Sequence, residues 1–141
     1  MTLKNTDNEY RITVRNSQTI DSETDTIEET AYGNYTEKNG KQYITYKTEN
    51  DGDKISSMIK IDGNEILIKR TGSVNSSMTY KVDTKKEFLY HLPYGTVPME
   101  IETQRIVSKL DENGGTIELV YTLTVQDEKY FNDMKITVSK R

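Results

Sequence analysis

Period-two alternation of apolar and polar residues runs through this chain from end to end, and it limits the fold more than any other feature. It is cleanest in Ile117, Leu119, Tyr121, Leu123 and Val125, and recurs in Tyr10, Ile12 and Val14 and again in Ile55, Ser57, Ile59 and Ile61. No segment holds helical periodicity over ten residues. Turn signals separate the runs: Asn39-Gly40, Asn50-Asp51-Gly52, Asp62-Gly63, Pro93-Tyr94-Gly95 and Asn113-Gly114-Gly115. About ten short strands result. Ser17, Gln18 and the acidic stretch that follows read as a loop, and a longer strand spans about Thr26 to Glu37, with a bulge or bend at Gly33.

One strand changes phase. Met99, Ile101 and Thr103 share a face, whereas Ile106, Ser108 and Leu110 sit in the opposite phase, so one extra residue near Gln104-Arg105 predicts a β-bulge. Hairpin-sized connections, bends within long strands and the need to remove exposed edges favour a closed up-and-down antiparallel β-barrel of about 8–10 strands over a sandwich. The length of 141 residues fits one domain, residues 1–141, with residues 1–8 expected to form a loose N-terminal segment.

Composition excludes several chemistries. The absence of cysteine removes disulfides and thiolate metal sites. Residues 1–70 carry 10 Lys+Arg against 13 Asp+Glu, and residues 71–141 carry 9 against 10, so no general nucleic-acid footprint exists. Five acids without a base, Asp21, Glu23, Asp25, Glu28 and Glu29, read as a solvated strand edge or loop rather than a cation site. No run approaches 18 apolar residues and the N-terminal stretch lacks an apolar signal core, so the expected location is cytoplasmic, without a membrane span.

His91 is the sole histidine and falls on the outward phase; Glu100 and Glu102 alternate against inward residues and face water. No nucleophile, base and orienter assemble, so no catalytic residue, metal or cofactor is expected, and a non-enzymatic role follows. Arg70 is the exception to a bland inventory. It shares its phase with Ile66 and Ile68, so it enters the barrel with them. A guanidinium there is either a structural clamp tied to hydroxyls, carbonyls or an internal carboxylate, or an anchor for a ligand anion. Tyr46, Tyr80, Tyr90, Thr103 and Tyr121 are expected around it as ligand-binding hydroxyls and apolar walls.

The residues Ile68-Lys69-Arg70-Thr71-Gly72, Met78, Pro93-Tyr94-Gly95, Thr103, Tyr121 and Asn132-Asp133-Met134 resemble the DUF1934 or YwiB-like family of bacterial proteins. The resemblance covers nearly the whole chain and implies a calycin-like, lipocalin-like barrel with no established biochemical function. The chain lacks the Gly-x-Trp motif of lipocalins and the C-terminal Arg-x-Tyr pair of fatty-acid-binding proteins. The first functional reading is a barrel that binds a small amphipathic or anionic molecule in an open interior. The alternative is a side-chain-filled barrel that acts through its outer surface on a protein partner or a second copy; an enzyme of unknown reaction is third.

Overall fold

The computed structural model describes residues 9–141, apart from the side chain of Leu92. The expectation for residues 1–8 lies outside the described residues. Ten strands follow one another: β1 Tyr10–Ile20, β2 Glu23–Lys38, β3 Lys41–Asn50, β4 Asp53–Asp62, β5 Glu65–Gly72, β6 Ser76–Lys81, β7 Lys85–Leu92, β8 Gly95–Asp111, β9 Gly114–Val125 and β10 Glu128–Lys140. They form one antiparallel sheet in the order β6-β5-β4-β3-β2-β1-β10-β9-β8-β7. Each strand pairs with its sequence neighbour, and β1 with β10, so β6 and β7 are the two ends of the sheet. Val82 bridges Thr103, and the Asp83 amide donates to the Thr103 carbonyl at 3.1 Å, which ties the segment after β6 to β8, just beyond the start of β7. The sheet is a nearly closed barrel.

Turn chemistry sets the register. The two-residue turns Asn39-Gly40 and Asp51-Gly52 have positive φ at both positions, the hairpin geometry that matches strand twist. Asp62 itself pairs with Glu65, so that turn is Gly63-Asn64, one residue later than the sequence signal. Likewise Asp111 pairs with Gly114; the turn is Glu112-Asn113 and the two glycines begin β9. The bulge falls where the phase change puts it, with Thr103 opposite Tyr121 and Arg105 opposite Val120.

The polar stretch expected as a loop is strand. β1 continues through Ser17 and Gln18 to Ile20, and β2 begins at Glu23. Low strand propensity is overridden because β1 pairs on both sides, with β10 and with β2. Hydroxyl pairs link β1 to β2 on the outer face: Ser17 with Thr26 at 2.9 Å and Thr19 with Thr24 at 2.8 Å. The five acids therefore line a projecting hairpin and are all exposed.

The interior is filled at the end holding the start of β1 and the turns at 39–40, 63–64 and 112–113, here called lower. Ile12, Ile44, Ile59, Ile66, Ile117, Leu119 and Ile136 are essentially inaccessible to water, as is Ile101 on the mouth side of Thr103 along β8. Burial of this kind contributes about 25 cal/mol per Å² of apolar surface. Below them the Tyr10 hydroxyl donates to the Glu112 carbonyl at 2.7 Å, Gln42 donates to the Leu110 carbonyl at 2.7 Å, and the Tyr10 and Tyr35 rings pack 5.9 Å apart.

Candidate functional site

Above the apolar layer the inward residues turn polar. On one side Tyr46, Ser57, Arg70 and Ser76 are direct register partners on β3 to β6. On the other, Thr103, Tyr121, Asn132 and Gln18 form a matching row across β8, β9, β10 and β1. Directly opposed side chains sit about 4.5–5.5 Å apart at Cβ, so each row is a continuous band of polar groups.

Arg70 enters the barrel with Ile66 and Ile68, as its phase requires, and is half-buried where they are buried. Burial pushes the Tyr46 phenol above its ordinary pKa, while the Arg70 charge and hydrogen bonds with Ser57 and Arg70 pull it back. Burial pushes Tyr80 well above the ordinary value and Tyr121 also upward; both feel the Arg70 charge in the opposite sense. The Tyr80 and Tyr121 rings meet edge to face with centroids 4.8 Å apart. Arg70 is thus ringed by phenols, and no carboxylate of the described residues forms an ion pair with it. The internal carboxylate that a full clamp would supply is missing from this set.

Thr103 is buried at the bulge, and its hydroxyl has no hydrogen-bond partner among the described residues. Tyr90 is half-buried, on the inward phase of β7, higher toward the mouth than Tyr80 and Tyr121. The structure therefore gathers Arg70, Tyr46, Tyr80 and Tyr121, places Thr103 beside Tyr121, and leaves Tyr90 nearer the rim. His91 is exposed and Glu100 and Glu102 keep the outward phase.

Sequence reasoning missed an amide cluster. Asn132 Oδ1 accepts from Asn16 at 3.1 Å and from Gln18 at 3.1 Å, and its Nδ2 donates to the Tyr130 carbonyl at 3.0 Å. Asn16 Oδ1 is buried without a hydrogen-bond partner among the described residues. The signal was present: Asn16 and Gln18 continue the inward phase of Tyr10, Ile12 and Val14. Reading the polar run as a loop hid it.

Access comes through the seam. Above the Val82–Thr103 bridge β6 and β7 have no ladder between them, and a cavity of about 470 Å³ opens there. Arg70, Ser76 and Asn75 line one wall; Phe88, Leu89 and His91 line the other. Among the described residues no three His, Asp or Glu side chains gather as metal ligands, and no helix is long and apolar enough to cross a membrane.

Residues 12–138 match the family model described as a domain of unknown function, DUF1934. The chain belongs to this family. It is 30% identical over 118 residues to the uncharacterized β-barrel protein YwiB of Bacillus subtilis (strain 168), a match spanning 83% of each chain. The crystal structure of the ywiB protein from Bacillus subtilis superposes with a TM-score of 0.86 at 26% identity, covering 94% of this chain and 91% of that one. The DUF1934 match spans the phenol ring around Arg70, the amide cluster and both walls of the seam.

Proposed function

We propose that this protein is a non-enzymatic binding barrel that takes a small amphipathic anion at its upper mouth. The anionic head group meets Arg70, the Tyr46 and Tyr121 hydroxyls lie around it, and the apolar part runs along Phe88 and Leu89 in the seam. One observation carries this reading: Arg70 points inward among phenols, has no carboxylate partner among the described residues, and lines an open cavity of about 470 Å³. A guanidinium in that setting offers a planar fork for a carboxylate or phosphate. Because the lower barrel is filled, the guest sits at the mouth and seam rather than deep in the interior.

The test compares octyl phosphate with a neutral octyl glucoside of the same tail, by calorimetry and native mass spectrometry. The phosphate is expected to bind and the glucoside not. Arg70→Met is expected to weaken binding about 10- to 100-fold, since a charge-assisted hydrogen bond contributes about 1.5–3 kcal/mol. Lys135→Met, exposed on the outer face of β10 and away from this cavity, is expected to change it less than threefold. Equal affinity for both amphiphiles, or an Arg70→Met variant that binds as well as the native chain, refutes the assignment.

A further inference from the structure

Four strands away from the seam the sheet parts a second time. β2 pairs with β1 over Glu23–Gly33, but it pairs with β3 only over Gly33–Lys38. Beyond the Gly33–Tyr46 pair the two strands diverge: among the described residues, 23–32 of β2 have no ladder on the β3 side, and Lys47–Asn50 of β3 have none on the β2 side. Between them lies a cleft of about 1050 Å³, reaching from the outer surface to Tyr46 and Ser57. A free strand edge facing a roomy cleft is a template for another strand, because its unpaired N–H and C=O groups recur at strand spacing.

Charge decides which strand. The inward phase of the β2 edge carries Glu23, Asp25, Ile27 and Glu29, and Asp21 and Glu28 complete a hairpin arm with no base between Arg15 and Lys38. Glu49 and Asp53 add carboxylates on the far wall, against Lys47 and Lys69. A second copy of this chain docking edge to edge would bring two sets of five acids together, so like charges oppose that pairing. The same charges attract a basic strand.

We infer that the cleft between β2 and β3 receives an extended basic polypeptide segment, added as a strand on the β2 edge. About six residues suffice at roughly 3.3 Å each. Lysine or arginine at alternate positions falls on the inward side next to Glu29, which lines the cleft, and Asp25, beyond it on the same edge, and β-branched residues fall outward next to Thr30 and Thr26. Arg70 does not line this cleft, although Lys69 and Thr71 border both openings and Tyr46 lies between them; the inference does not depend on the amphiphile reading.

The probe is a capped eight-residue peptide alternating lysine and valine, added to the full chain and followed by amide NMR shifts. Changes centred on residues 24–32 and 47–50 are expected. Replacing each lysine by glutamate is expected to weaken binding at least tenfold, and two central prolines, which cannot donate to a ladder, are expected to abolish it. The double variant Asp25→Lys, Glu29→Lys is expected to lose at least tenfold; these residues are exposed, so the fold should survive. Shifts centred elsewhere, or equal binding by the proline or glutamate peptides, overturn the inference. So does concentration-dependent change at the same amides without peptide, which would assign the edge to a second copy.

Discussion

Gly33→Ala tests the junction that both bends the barrel wall and opens the β2–β3 cleft. A Cβ at Gly33 would lie 2.0 Å from the Thr45 carbonyl oxygen, 2.8 Å from the Tyr46 Cβ and 2.9 Å from the Ile12 Cδ1. Non-bonded contacts settle near about 3.5–4.0 Å. The Thr45 carbonyl must therefore retreat by more than about 1 Å, and it belongs to the backbone of the strand paired with Gly33. Overpacking that side chains can absorb costs about 1–3 kcal/mol. Here the ladder must also shift, at roughly 1 kcal/mol per hydrogen bond lost. The expected loss is about 3 kcal/mol or more, out of the 5–15 kcal/mol typical of a whole domain. At about 3 °C per kcal/mol for a chain of this length, the melting temperature falls by roughly 10 °C. Gly40→Ala is the matched control: nothing lies within 4 Å of its Cβ, but its φ is +77°. That change should cost about 1–2 kcal/mol, from the left-handed backbone alone. Urea unfolding followed by circular dichroism gives both numbers. If Gly33→Ala costs less than Gly40→Ala, the close approach is not what requires glycine, and the account of the bend fails.

Removing Gln104 takes out the extra residue while leaving Thr103 inward and Arg105 outward, so that variant should fold; removing Val120 from unbulged β9 inverts every later face in the strand and should abolish cooperative melting. Two cooperative proteins of similar melting temperature would disprove the register. Tyr10→Phe loses the 2.7 Å bond to the Glu112 carbonyl and should lower stability by about 1 kcal/mol in the same urea assay, whereas no change would show that the lower closure does not depend on it. Tyr46, Tyr80 and Tyr121 hold their protons more tightly folded than unfolded, so the stability they contribute is intact below the unfolded value of about 10 and declines as pH rises beyond it. Absorbance at 295 nm should show a late phenolate step coinciding with loss of the β-sheet signal; complete ionisation of all ten tyrosines before unfolding would contradict their burial.

Local pattern was enough for the strands, the bulge and the inward set Tyr46, Tyr80, Thr103 and Tyr121, because each follows from alternation over a few residues. It failed where distant pairing governs. Ser17 and Gln18 become strand through Asp133 and Asn132 of β10, more than a hundred residues away, and no local propensity reports that partner. Turn positions slipped by one or two residues at Gly63 and Gly114 because glycine also serves strand ends where backbones approach closely. Neither opening in the wall was readable either, since a gap is a property of two strands and leaves no mark on the alternation of one.

The two openings carry opposite chemistry, and this follows from where each lies in the sheet. The β6–β7 seam is where the chain's ladder order ends, so closure rests on Thr103 at the bulge, and the gap above it exposes Arg70 with Phe88 and Leu89. The β2–β3 cleft arises within the ladder, at a glycine that brings two backbones too close to admit a side chain, and it exposes an acidic edge. An anion guest and a basic strand would therefore be sorted to different walls by charge alone. Between them, Arg70 and Glu29 both bear on the Tyr46 phenol, with opposite sign, across the upper mouth. A guest that neutralises Arg70 should raise the Tyr46 pKa, and one that neutralises Glu29 should lower it. Tyr46 ring shifts on adding each guest at neutral pH, where the fold is intact and the peptide lysines are charged, would read out which wall is occupied. Identical movement with octyl phosphate and with the basic peptide would mean that the two sites are not electrically separate.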